Sequence, residues 1–169
     1  GLISMQVIQQ SFSHSSSSFM IGKIQGNILD LLYAPLSATE VTISITLAAV
    51  TRSVMIAIVS IIVFKLIIDI EITNYFLLVI FTLLSSFILG NIGIIAGLWA
   101  EKFDHMATVT NFVIVPLSFL SGTFYSIDRL PEILQIVSKA NPFFYMIDGF
   151  RYSFIGQADG SITVGLVYL

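Results

Sequence analysis

Apolar and polar positions fall in long blocks along this chain. The most telling block runs from Ile72 to Ala100, where no charged side chain occurs between Glu71 and Glu101. Tyr75-Phe-Leu-Leu-Val-Ile-Phe is followed by Leu83-Leu and Phe87-Ile-Leu, so the block has no polar face. A bilayer-crossing helix needs ~20 mostly apolar residues. In lipid the backbone must satisfy its own hydrogen bonds, so the segment is predicted to be a transmembrane helix over 72–99. Val41 to Ile68 predicts a second span, and Met106 to Ile127 a further apolar segment broken by Pro116 and Gly122.

Shorter elements surround these spans. Residues 1–12 read as the tail of a helix, and Ser13–Ser18 as the polar patch where it reaches the membrane interface. From Phe19 to Glu40 the pattern is amphipathic: Ile21, Ile24, Ile28, Leu31 and Leu32 recur at helical spacing. Pro35 should end that helix, because proline lacks an N–H and restricts the residue before it. Too polar to span, the segment should lie at a membrane face or dock on another protein. Asp69, Glu71 and Asn74 form a turn, and Glu101 to His105 a polar loop. After Pro131, Glu132 to Lys139 predicts a short amphipathic helix. Asn141-Pro142 breaks it, and Phe143 to Gly156 predicts a second short apolar helix. Neither can span, so together they read as a re-entrant or interfacial hairpin, tolerated at depth only where protein buries it. Both ends of the chain read as cut helices, Leu2–Val7 and Ile162–Leu169.

Composition agrees with a polytopic, all-α membrane protein. Charged residues are only 10% and mean hydropathy is +0.97, too little charge to solvate a globular surface, for which ~25% is usual. The net charge of -3 points to no nucleic-acid partner. Cysteine is absent, which removes disulfides and thiolate metal sites.

Three features bear on chemistry. Arg52 is a charge inside a span, by default a functional position in a membrane protein unless it snorkels to headgroups or pairs with a carboxylate. Gly93-Ile-Ile-Ala-Gly97, with Gly90 one turn before, is a GxxxG pattern that lets two helices approach closely. Trp99 suits an interfacial anchor. His14 has no second histidine or carboxylate near it in sequence and takes no ligand role; His105 beside Asp104 reads as a solvated loop. Phe143, Phe144 and Tyr145 suit either an exit for an amphipathic cargo or a lipid-facing aromatic belt.

The run Pro116-Leu-Ser-Phe-Leu-Ser-Gly-Thr-Phe-Tyr-Ser126, then Leu130-Pro131, Asn141-Pro142 and Tyr145-Met-Ile-Asp-Gly-Phe-Arg-Tyr152 resembles ABC-2 type exporter permeases. Gly26, Asp30-Leu-Leu and Ala34-Pro-Leu-Ser37 resemble that family's first cytoplasmic loop, and Trp99–Asp104 falls where it has its second. The resemblance implies that residues 1–169 form part of a six-helix transmembrane domain, from the end of its second helix to the start of its sixth. Residues 19–40 would hold the coupling helix that rests on an ATPase subunit, through Gly26, Asp30, Leu31, Leu32 and Pro35. Family members often carry an acidic residue at the position of Leu29; here the carboxylate is at Asp30. Residues 124–156 would form an extracytoplasmic re-entrant hairpin, with Gly122, Tyr125, Pro131, Asn141, Pro142 and Arg151 as its marks. The implied partners are an ABC ATPase subunit, a second copy or a paralogous permease, and membrane lipid, in a bacterial plasma or inner membrane.

The chain carries no GxxxxGK[ST] loop to cradle a triphosphate. It has no nucleophile–base–orienter set and no metal cluster. An exporter of this kind would be a non-catalytic membrane subunit without a cofactor, its ATP hydrolysed by a separate subunit. The cargo, in the drug, lipid or glycan class, is not written in the residues. Two other classes compete: an intramembrane enzyme, which would need clustered His, Asp, Glu or Ser at depth, and a channel or structural subunit without ATP coupling. Lys23, Arg52 and Lys102 against Lys65, Arg129, Lys139 and Arg151 give no positive-inside bias, so orientation rests on the resemblance.

Overall fold

The computed structural model describes residues 1–26, 33, 36–67, 72–124 and 130–169. These residues are helical, with no strand among them. The elements are α1 (Leu2–Gln25), α2 (Ala38–Ile67), α3 (Tyr75–Trp99), α4 (Phe103–Leu120), α5 (Glu132–Ala140), α6 (Pro142–Ile155) and α7 (Ile162–Tyr168). By length and composition α2, α3 and α4 can each cross a membrane.

Helix boundaries follow local chemistry. α1 ends at Gly26, whose φ of 75° places it in the left-handed region that glycine enters without a Cβ penalty. α2 opens with a capping box. The Ser37 hydroxyl accepts from the Glu40 N–H at 3.3 Å, and Glu40 Oε2 accepts from the Ser37 N–H at 2.7 Å. The amphipathic stretch expected over 19–40 is therefore divided: Phe19–Gln25 finishes α1, and Ala38–Glu40 begins α2. Asn74 caps α3 by accepting from the Leu77 N–H at 3.2 Å. Asn141 does the same for α6 at the Phe143 N–H, 3.1 Å, with Pro142 at the first helical position.

Two expectations fail on packing. Ser13–Ser18 is no helix end at an interface; α1 runs through it, and Ser15 and Ser16 are fully buried. A serine hydroxyl can return to its own helix, as Ser16 does to the Phe12 carbonyl at 2.7 Å and Ser11 to that of Val7 at 2.9 Å. Its polarity then does not demand water. Pro116 does not break the fourth segment either. The turn before it, Thr110–Ile114, widens to π geometry, and the Val115 N–H reaches the Thr110 carbonyl. Proline withholds one donor and crowds the carbonyl four residues back, and the wider turn accommodates both. The helix also starts earlier than expected, at Phe103, so Asp104 and His105 lie in its first turn.

α1 is the centre of the bundle. It packs along α3 on one side and α2 on another, while α6 lies against α3. One apolar core joins Ile8, Phe12 and Met20 of α1 to Leu89 of α3, Met106 and Ile114 of α4, and Phe143, Met146 and Ile147 of α6. A second joins Val7, Ala57, Leu78, Phe81 and Phe150. Phe143 and Phe144 are buried, which removes both from a lipid-facing belt.

Candidate functional site

Gly93 and Gly97 form the contact surface between α3 and α1. A Cβ built on Gly93 would lie 2.6 Å from the Phe12 carbonyl oxygen, and one on Gly97 would lie 2.9 Å from that of Ser16. The helix backbones touch there, as small residues at four-residue spacing permit. Gly90 is less confined; its added Cβ would meet Thr46, Ser15 and Ala49 side chains at 3.4–3.6 Å. Because Phe12 faces Gly93 and Ser16 faces Gly97, the two helices run parallel, and α2, which connects them in the chain, runs antiparallel alongside both.

Their C-terminal ends are fastened together. Lys23, in the last turn of α1, donates from Nζ to the carbonyls of Gly97 at 2.9 Å and Ala100 at 3.0 Å, and also to that of Leu98. A helix leaves its last carbonyls without intrahelical partners and carries partial negative charge at that end, so a lysine ammonium suits it. This contact ties the last turn of α1 to the C-terminal end of α3. Trp99 is exposed, its ring centroid 5.6 Å from that of His105. Of the residues expected to couple to an ATPase, Gly26 is the α1 cap; Asp30, Leu31, Leu32 and Pro35 lie outside the described residues. The sequence reading placed Lys23 near one face without seeing its partners, which sit about 75 residues away in the chain.

Arg52 Nη1 lies 3.2 Å from His14 Nδ1 on α1, a histidine that sequence proximity alone left without a role. Just beside this pair, Ser11 and Ser53 are joined hydroxyl to hydroxyl at 2.5 Å across the buried α1–α2 seam.

At the other end of the bundle, α6 carries a polar knot. Arg151 Nη1 pairs with Asp159 Oδ2 at 2.7 Å and lies 3.9 Å from Asp148 Oδ1, while Nη2 donates to the Gly122 carbonyl. Asp148 accepts from the N–H groups of Asp159 and Gly160, both at 2.9 Å. Burial pushes the Asp148 carboxyl above its usual range, against the pull of those two N–H groups and of Arg151. Arg151 and Gly122 are thus in contact. Asn141 Nδ2 donates to the Leu117 carbonyl at 3.0 Å and to Ser121 Oγ at 2.8 Å, holding the α5–α6 corner against α4. Pro131 caps the start of α5; Tyr125 lies outside the described residues. A cavity of about 710 Å³ opens beside Arg151 and Asp159, with Phe64, Phe150 and Phe154 on its walls. Among the described residues no group of His, Asp or Glu could hold a metal ion.

Residues 1–155 match the family model described as ABC-2 type transporter. The chain is 33% identical over 159 residues, 94% of its length, to the inner membrane transport permease YadH of Escherichia coli K12, and it spans 62% of that relative. It is also 27% identical to nodulation protein J of Rhizobium leguminosarum bv. viciae, over 44% of this chain and 29% of that protein. No solved structure is significantly similar to it. Apolar helices long enough to span, small-residue helix contacts and a family match over most of the chain agree, and the protein is a polytopic membrane protein of the ABC-2 type transporter family.

Proposed function

We propose that the chain belongs to a permease subunit that moves a drug, lipid or glycan outward across a bacterial inner membrane. ATP hydrolysis takes place on a separate ABC ATPase subunit, and a second permease, identical or paralogous, completes the pathway. The observation that carries this reading is the family match over residues 1–155. The parallel α1 and α3, tied by Lys23, support it, because they bring both proposed cytoplasmic loops to one end of the bundle.

In this reading the segment from Gly26 to Ser37 rests on the ATPase, with Asp30, Leu31 and Leu32 at the contact and Pro35 setting the exit angle. A short helix with apolar anchors suits docking in a groove. Closure of the ATPase pushes on this segment, and the helices shift between two discrete packings of one bundle. The segment 124–156 is the re-entrant hairpin of the outer face. Two short helices meeting at Asn141, with α6 ending beside Thr73 at the end remote from Lys23, support that assignment; the Thr73 hydroxyl donates to the Phe154 carbonyl at 3.0 Å.

The test is Leu32→Asp in the full-length permease. A charge in an apolar groove is costly, and loss of such an anchor typically removes about 2 kcal/mol of binding. The variant should insert normally but lose its ATPase on purification, or leave hydrolysis unresponsive to cargo. Intact co-purification with unchanged export would refute the coupling assignment.

A further inference from the structure

Arg52 sits near the middle of α2, Ala38–Ile67, the depth at which a charge is least welcome in a bilayer. Its guanidinium cannot lose its proton to escape that cost. Its partner is the His14 ring, 3.2 Å away, which supplies an acceptor nitrogen and no negative charge. Among the described residues the ion pairs are those of Arg151, and no carboxylate reaches Arg52. The adjoining seam offers no anion either. The two hydroxyl protons of Ser11 and Ser53 are shared between their mutual contact and the carbonyls of Val7 and Ala49 within their own helices.

Arginine has only donors, so His14 Nδ1 must be the acceptor, which requires its proton on Nε2. The ring thus anchors one N–H of the guanidinium and leaves the rest of the fork to meet a ligand. Arg52 is exposed on the outer side of the α1–α2 seam. On the same face of α2, at helical spacing, Ala48, Met55 and Val59 are exposed as well. The result is a cationic point set in an exposed apolar track on α2.

We propose that Arg52 and His14 form a lateral binding site for the anionic headgroup, phosphate or carboxylate, of a membrane-borne amphiphile whose chain lies along Ala48, Met55 and Val59. Guanidinium matches such oxyanions with two parallel hydrogen bonds. The depth selects an amphiphile over a free anion, because only a headgroup carried by its own apolar chain dwells there. The site rests on the transport reading to the extent that it names an anionic amphiphile as the cargo class; as a binding site it stands apart from ATP coupling.

The experiment uses the purified full-length permease and dodecyl phosphate as probe, with dodecanol and inorganic phosphate as controls, read as binding isotherms. Wild type should bind dodecyl phosphate, and bind dodecanol and inorganic phosphate at least about tenfold more weakly, as expected when charge-assisted bonds and apolar contact are both required. Binding of inorganic phosphate as strong as that of dodecyl phosphate would overturn the amphiphile assignment. Arg52→Met should weaken dodecyl phosphate binding about tenfold or more, while Arg52→Lys, which keeps the charge but loses the fork, should fall between wild type and that variant. His14→Leu, which leaves α2 untouched, should weaken it several-fold and keeps the proposal testable if Arg52→Met does not accumulate. Equal affinity in wild type and either neutral variant overturns the site, and so does a carboxylate from outside these residues found paired with Arg52. Arg52-dependent binding without ATP-driven export would refute the transport reading and leave the site standing. ATP-driven export with Arg52-independent binding would do the reverse.

Discussion

Gly90 and Gly93 lie one turn apart on the same helix, and the same substitution should move stability in opposite directions. An alanine Cβ at Gly93 would stand 2.6 Å from the Phe12 carbonyl oxygen and 3.0 Å from Ser15 Cβ. The first contact is with backbone, which has no rotamer through which to yield. A carbon and a carbonyl oxygen sit comfortably at ~3.3 Å, so α1 and α3 must part by a large fraction of an ångström. A gap of about 0.5–1 Å already forfeits a quarter to a half of each dispersion contact it opens. Overpacking of this kind typically costs about 1–3 kcal/mol, set against ~1 kcal/mol gained by replacing glycine in a helix. At Gly90 the new methyl would meet only side chains, at 3.4–3.6 Å, which is ordinary contact. Gly90→Ala should therefore stabilise by up to ~1 kcal/mol, and Gly93→Ala should destabilise by up to ~2 kcal/mol after the propensity gain is subtracted. Reversible unfolding in mixed micelles, followed by helical circular dichroism against SDS fraction, measures both. If Gly93→Ala proves as stable as Gly90→Ala, the α1–α3 backbone contact is not the tight point of this bundle.

Other outcomes follow from the polar ties. Lys23→Met removes the ammonium from the last carbonyls of α3 and should cost ~1–2 kcal/mol locally; amide exchange at Leu98–Ala100 should accelerate about tenfold, and an unchanged rate would refute the cap. Pro116→Ala should let Thr110–Ile114 return to α geometry, turning the buried Met106 out of the core by about 100°; a cysteine at position 106 that stays protected from alkylation in this background would refute that role for the π turn. Arg151→Met leaves Asp148 and Asp159 without their shared cation and should cost ~3 kcal/mol, seen as a lower midpoint of thermal unfolding. Asp159→Asn should then add little in the Arg151→Met background, and full additivity would mean the two act separately.

Elements that announce themselves locally were legible. The charge-free run before Glu101 gave α3 to within three residues, and Asn141-Pro142 marked the α5–α6 corner because it stops one helix and caps the next. The Ser37–Glu40 capping box was equally local and passed unnoticed within a longer amphipathic pattern. What could not be seen depends on distant partners. The serines of α1 look like an interface until the glycines of α3 stand opposite them, and serine is one of the few residues small enough to meet them. Lys23 reads as one more basic residue until the end of α3 lies under it. For Arg52 the sequence suggests headgroups or a carboxylate, because charge is what a sequence displays; His14 comes from another helix and only the fold brings it near.

Backbone contact at Gly93 and Gly97 resists sliding between α1 and α3, and the Lys23 ammonium stops their ends from splaying. Two parallel rods pinned over one stretch move together there, so a load on the C-terminal end of α1 is shared with the C-terminal end of α3. Compliance has to lie in the pieces joined to that pinned stretch, and the π turn of α4, where the regular hydrogen-bond ladder is already relaxed, is the place in the described bundle where the least regular bonding has to be given up.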